Sequence, residues 1–169
     1  MNATEKIGQA KKGENLDVLI NDENEDVRMA VANKGYGLEI LIKDESAWVR
    51  AAVACQGYGL EILIKDESQW VRVAAKYELE KIDAYNRRIT EEKMKQIEKR
   101  ENLEIFIKDE DSYVRAAVAA QGYGLDILLK DESEWVRAAV AARGYGLGIL
   151  IKDKSEGVRF AAAARLEAK

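Results

Sequence analysis

Apolar residues recur at helical spacing within a unit of 22 residues that repeats along the chain. Read from Leu38, one repeat is LEILIKDESAWVRAAVACQGYG. Leu38, Leu41 and Ile42 fall at i, i+3 and i+4, which predicts a short helix with one apolar face. The VRAAV stretch at 49–53 carries a second apolar stripe at the same spacing. Each repeat is therefore predicted to form two helices, a short helix A and a longer helix B.

Helix B has both a start signal and a stop signal. Its start is marked by a column of residues that accept hydrogen bonds from helix N-termini: Asn24, Ser46, Ser68, Asp111, Ser133 and Ser155. Its stop is a Gly-Tyr-Gly turn, in which Gly57 suits a left-handed C′ position and Gly59 suits the start of the next helix A. The same turn occurs at 35–37, 57–59, 122–124 and 144–146. These glycines do not form a phosphate-binding loop, because no strand precedes them.

The fixed period predicts an all-α fold, an α-solenoid of stacked two-helix repeats in a single domain over residues 1–169. The predicted repeats are 16–37, 38–59, 60–76, 103–124, 125–146 and 147–169. The pattern is lost at 77–102, where apolar spacing and Thr90 as a helix cap predict a helical hairpin or a degenerate repeat. This segment either continues the stack or protrudes to contact a partner.

The columns D-x-x-x-x-V-R-x-A resemble the HEAT-like repeat families, and the short repeat is most similar to the leucine-rich repeat variant group. Asp44, Val49, Arg50, Ala52 and Val53 and their equivalents carry this resemblance. It implies a right-handed superhelix that presents an extended surface to a partner. The chain departs from the variant pattern at the turn, where Gly-Tyr-Gly replaces an Asn/Pro-rich sequence and proline is absent.

Aspartate and arginine form two complete columns, with each Asp six residues before its Arg. The pairs are Asp22 and Arg28, Asp44 and Arg50, Asp66 and Arg72, Asp109 and Arg115, Asp131 and Arg137, and Asp153 and Arg159. The arginines either bind an anionic ligand or form a structural ladder with loop carboxylates of their own or a neighbouring repeat. The one-to-one parity favours the ladder, because the planar arginine fork pairs with a carboxylate through two hydrogen bonds.

A third column is aromatic, at the start of helix B. It contains Trp48, Trp70, Tyr113 and Trp135. The same position holds Asp26 in the first repeat and Gly157 in the last. These aromatic residues either pack between adjacent repeats or form the hot spots of a partner-binding groove. Arg87 and Arg88, in the segment that breaks the array, are further candidates for partner contact.

Composition narrows the choice of function. The net charge is −4, from 27 basic and 31 acidic residues, whereas nucleic-acid binders usually carry a basic excess. The chain has no histidine and one cysteine, so we predict no catalytic residue, metal site or cofactor. We expect a non-enzymatic scaffold that binds a protein or peptide, with a nucleic-acid-associated HEAT-like protein as the alternative.

Location and assembly are expectations of the same kind. No apolar run reaches the roughly 20 residues of a membrane helix, and the first residues lack a signal-peptide core. We therefore expect a cytoplasmic protein without membrane contact, either a monomer or a weak homo-oligomer.

Overall fold

The computed structural model describes residues 1–168, and this part of the chain is helical without strands. The predicted all-α class is therefore confirmed. In every repeat helix A is a single turn, because the left-handed residue before it and the turn after it leave room for four residues. These one-turn helices are α2 (Leu16–Leu19), α4 (Leu38–Leu41), α6 (Leu60–Leu63), α8 (Leu103–Phe106), α10 (Leu125–Leu128) and α12 (Leu147–Leu150).

The longer helices alternate with these single turns. They are α1 (Ala3–Lys12), α3 (Glu25–Ala32), α5 (Ala47–Cys55), α7 (Gln69–Glu98), α9 (Ser112–Ala120), α11 (Glu134–Ala142) and α13 (Glu156–Glu167). The predicted cap column occupies the position before each helix B, and the side chains of Asn24, Ser46 and Asp111 accept a backbone N–H there. The side chains of Ser133 and Ser155 make no such bond.

The Gly-Tyr-Gly turn needs glycine for two reasons. Gly57 and Gly59 both adopt left-handed conformations, with φ of 74° and 60°, which L-residues with side chains disfavour. A Cβ on Gly59, where the next repeat begins, would also overlap the Cδ1 atom of Ile42 in the repeat that Gly59 ends. The turn therefore reverses the chain while letting one repeat approach the next closely.

The chain divides into two compact units, Met1–Tyr85 and Asn86–Lys169, which we call the first and second modules. The sequence predicts a single domain over this length. In each module the core is built from the predicted stripes, as Leu41, Val49 and Val53 in the first module illustrate with exposures of 1% or less. Consecutive B helices pack on one another, α3 on α5 in the first module and α9 on α11 in the second.

Helix α7 corrects the prediction for residues 77–102. The predicted hairpin is wrong, because the helix runs without a break from Gln69 to Glu98 and passes straight through Thr90. Val71 and Ala75 in its first part are buried in the core of the first module, and Ile97 near its end is buried in the core of the second. One helix therefore serves as the last B helix of one module and the leading helix of the other.

The end of α7 repeats the start of the chain. KIGQAKKGENL at 6–16 aligns with KMKQIEKRENL at 93–103. In both copies an asparagine amide donates to a glutamine side chain, from Asn15 to Gln9 (3.2 Å) and from Asn102 to Gln96 (2.8 Å). Both asparagines are left-handed, with φ of 55° and 56°. Each module thus consists of a leading helix followed by three repeats.

Candidate functional site

The arginine column forms a ladder of hydrogen bonds between consecutive repeats. Arg50 donates from Nε and Nη2 to the two carboxylate oxygens of Asp66 in the next repeat, at 2.8 and 2.9 Å. Its Nη1 donates to the Asp44 carbonyl oxygen in its own turn, at 2.8 Å. Asp66 also accepts the backbone N–H of Ser68. Each rung therefore ties the turn of one repeat to the turn of the next.

Four arginines make this complete set of bonds, and all are buried within their modules. The bidentate pairs are Arg28 with Asp44, Arg50 with Asp66, Arg115 with Asp131, and Arg137 with Asp153. The partner is in every case the aspartate sixteen residues later, not the one six residues earlier, whose backbone carbonyl is used instead. The sequence allowed a carboxylate of the same repeat or of a neighbouring repeat as the partner of each arginine. In the structure it is the carboxylate of the following repeat.

The ladder begins and ends differently in each module. Its first aspartate receives a lysine from the leading helix, with Lys6 at 2.6 Å from Asp22 and Lys93 at 2.7 Å from Asp109. Its last arginines are Arg72 and Arg159. Each donates through Nη1 to the carbonyl oxygens of its own turn, and neither makes a bidentate pair with any carboxylate among residues 1–168.

The four bidentate arginines hold the carboxylates that they bind in the ionised form. The hydrogen bond from Arg137 lowers the pKa of Asp153 from 3.8 to about 2, and the Arg50 hydrogen bond likewise lowers the pKa of Asp66. Burial has the largest single influence on the pKa of Asp44 and Asp131 and acts to raise it. Hydrogen bonds from the arginine and the backbone outweigh burial, so both pKa values are lowered. These aspartates are therefore ionised at neutral pH, and the positive charge of the bound arginine compensates their negative charge.

The aromatic column lies on the surface. Its exposed fractions are 56% for Trp48, 66% for Trp70, 63% for Tyr113 and 72% for Trp135. Trp48 and Trp70 stack across adjacent repeats, with ring centroids 6.3 Å apart and planes inclined by 21°. Tyr113 and Trp135 make no such stack within the described residues. In the first module the column therefore has features of both predicted roles. The two rings pack between adjacent repeats, and both remain exposed for a partner.

A second apolar column was missed from the sequence. The third residue of every helix A is aliphatic and more than half exposed: Val18, Ile40, Ile62, Ile105, Ile127 and Ile149. The signal was present in the sequence as an isoleucine or valine at the third position of every helix A, off the stripe that Leu38 and Leu41 form. Ile40 borders a groove of about 600 Å³ beside the ladder, together with Glu23, Lys43 and Glu45.

The remaining candidates, Arg87 and Arg88, are exposed on α7. Their predicted role in binding a partner stays a prediction. Among residues 1–168, no group of three or more Asp, Glu or Cys side chains is arranged to hold a metal ion. No helix in this part of the chain is both long enough and apolar enough to cross a membrane.

No known protein family model matches this chain, and no curated protein matches it. The resemblance to HEAT-like repeats and to the leucine-rich repeat variant group therefore stays a prediction.

Proposed function

We propose that the protein is a non-enzymatic scaffold whose aromatic column binds a protein or peptide partner. The observation that carries this proposal is the exposure of all four aromatic side chains, each more than half open to solvent. Tryptophan and tyrosine supply much of the binding energy of protein interfaces, because their large rings bury apolar area with few rotatable bonds. A repeated row of such side chains on helix starts suits an extended partner.

Folding of a single repeat does not call for an aromatic ring in this column. The equivalent position holds Asp26 in the first repeat and Gly157 in the last, and helix B forms in both. A position that accommodates aspartate, glycine and tryptophan imposes no demand for an aromatic ring. Partner binding gives a reason for four aromatic residues at such a position.

The ladder favours a protein partner over the alternative of nucleic acid. Nucleic-acid affinity depends largely on cations that neutralise phosphates. The four interior arginines are buried and each is matched by an aspartate, so they are not available for that role. The net charge of −4 acts in the same direction.

For the fold we infer that each module is a short HEAT-like α-solenoid. The support is the stacking of consecutive B helices and the ladder that joins each repeat to the next. The handedness of the superhelix is the part of this inference that an experimental structure of the full chain would test.

All three tryptophans of the chain lie in the aromatic column, so their fluorescence reports on this surface alone. The experiment is a pull-down with mass spectrometry, in which the wild type is compared with the variant Trp48→Ala, Trp70→Ala, Trp135→Ala. We expect a protein partner to be lost by the variant, and the purified partner to shift the tryptophan emission of the wild type. Circular dichroism checks that the variant is folded.

Phe160→Ala is the matched control, because Phe160 is a 75% exposed aromatic residue outside the column. It should retain the partner. Equal recovery by the folded triple variant would contradict the proposal, and so would a partner that leaves tryptophan emission unchanged.

A further inference from the structure

The last repeat of the first module leaves open the face on which a further repeat would stack. Four residues after each interior ladder arginine comes an alanine with no exposed surface: Ala32, Ala54, Ala119 and Ala141. After Arg72 the equivalent residue is Lys76, whose side chain is 71% exposed and forms a surface ion pair with Glu80 at 3.8 Å. Val73, beside Arg72, is 54% exposed. This face of α7 therefore presents Arg72, the exposed Lys76 and an apolar side chain to solvent.

Arg72 is held by its own turn in the same way as the interior arginines. Its Nη1 donates to the carbonyl oxygens of Asp66 and Glu67, at 2.6 and 2.8 Å. The residue sixteen positions later is Arg88, where the interior arginines have aspartate. Among the described residues, no carboxylate pairs with Nε and Nη2 of Arg72. The guanidinium is thus positioned by its own repeat, while its Nε and Nη2 edge, which binds a carboxylate in the interior rungs, faces none among residues 1–168.

We propose that Arg72 and Lys76 form a binding site for an aspartate side chain of an acidic peptide from another protein. The interior rungs define the recognised chemistry. Asp66 accepts both arginine nitrogens and also the N–H of Ser68, so the fitting aspartate starts a D-x-S turn ahead of a helix. Val73 offers an apolar contact to the helix that follows such a turn.

The occupant comes from a different protein because the ladder aspartates of this chain are all engaged. Their partners are Lys6, Arg28, Arg50, Lys93, Arg115 and Arg137. Asp109, the next ladder aspartate along the chain after Arg72, is held by Lys93. A second copy would have to break one of these pairs to supply the aspartate of a D-x-S turn. This inference does not rest on the aromatic column.

The test uses the full-length protein and a synthetic peptide of residues 38–59, with a second peptide that carries Asp44→Asn. The readouts are the NMR signal of the Arg72 Nε–H group and the anisotropy of the labelled peptide. We expect the first peptide to shift the Arg72 signal and leave that of Arg50 unchanged. Asp44→Asn in the peptide and Arg72→Gln in the protein should each weaken binding at least about ten-fold, because both remove a charge-assisted pair.

Arg143→Gln is the control, since it makes the same charge change at an exposed arginine of the second module. It should bind like the wild type. Arg72→Lys keeps the positive charge but lacks the two parallel N–H donors of the guanidinium. Its peptide affinity should therefore lie between those of Arg72→Gln and the wild type. Full recovery by lysine, or binding that is indifferent to Asp44→Asn and Arg72→Gln, would overturn the proposal.

Self-association is the remaining outcome. A concentration-dependent shift of the Arg72 signal without peptide, together with a dimer in sedimentation, would assign the site to a second copy and overturn the partner proposed here. The tryptophan variants should still bind the peptide, because this site does not use the aromatic column; the aromatic proposal stands or fails separately, on the pull-down.

Discussion

The two modules share a ladder and differ in their aromatic residues. The first module has Asp26, Trp48 and Trp70 at the start of its B helices, and the second has Tyr113, Trp135 and Gly157 at the same positions. The ladder repeats with the same partners and distances within about 0.1 Å, as the Arg50 and Arg137 pairs show. The aromatic pair is displaced by one repeat between the modules.

The fold requires the ladder in both modules, whereas it tolerates different residues in the aromatic column. A ladder arginine connects two turns and is buried, so its replacement disturbs both repeats. An aromatic residue at the start of helix B is more than half exposed, even where Trp48 stacks on Trp70. The comparison therefore predicts large effects on stability for the ladder and small ones for the aromatic column.

The largest expected effect comes from Arg137→Ala. It leaves Asp153 nearly buried without its arginine, and removing one partner of a buried pair costs roughly 3–5 kcal/mol. Urea unfolding measures this loss. Arg159→Ala is the control, because Arg159 contacts its own turn through Nη1 and should cost about 1 kcal/mol. Equal losses for the two variants would show that the pair between repeats does not support the module.

The lysines at the start of the ladder test whether the modules are equivalent. Lys6→Met and Lys93→Met each remove the partner of an aspartate whose side chain is at most 10% exposed. Because the lysines themselves are about one third exposed, we expect each variant to lose about 1–2 kcal/mol in urea unfolding. A loss of stability in only one of the two variants would show that the start of the chain and the end of α7 are not equivalent leading helices.

Acid should weaken the ladder as the pH falls below about 4. The pKa of Asp153 is lowered to about 2 in the folded chain from 3.8, so its contribution is present above pH 4. It is lost as the pH falls from about 4 to 2, and amounts to about 1–2 kcal/mol. Urea midpoints at pH 5 and pH 2.5 measure this change.

Asp153→Asn is the control for this acid effect. The variant should lose less stability than the wild type between these two pH values, because an amide does not titrate. An identical pH response of variant and wild type would rule out Asp153 as the group responsible.

The smallest effects are expected at the aromatic column. Trp135→Ala should change the free energy of unfolding by less than about 1 kcal/mol, since the side chain is 72% exposed. Trp48→Ala also removes the stack on Trp70, which adds about 0.5–1.5 kcal/mol to its cost. Urea unfolding of both variants checks this order. A larger loss for Trp135→Ala would favour packing as the role of the column.

The repeat pattern predicted the helices of each repeat and the residues of the core. The apolar spacing identified Leu41, Val49 and Val53, and glycine marked each turn, because these signals are local to one repeat. The partner of each arginine could not be read in this way. An aspartate six residues before and one sixteen residues after are both reasonable partners until the distance between neighbouring turns is known.

The hairpin error has a physical reason. Leu79, Ile82, Tyr85 and Ile89 keep a helical spacing that fits one helix as well as two. Thr90 is a common cap residue, but no glycine stands nearby to end the preceding helix, and the helix continues. The match between 6–16 and 93–103 was visible in the sequence and identifies the end of α7 as a second leading helix.

Each rung of the ladder joins a repeat only to the one that follows it. A duplication or deletion of a whole repeat therefore leaves every remaining interior arginine opposite an aspartate, whereas the insertion of a single residue in a turn separates one pair. Such a chain should tolerate insertions and deletions of whole 22-residue repeats, whereas insertions of one or a few residues should destabilise it.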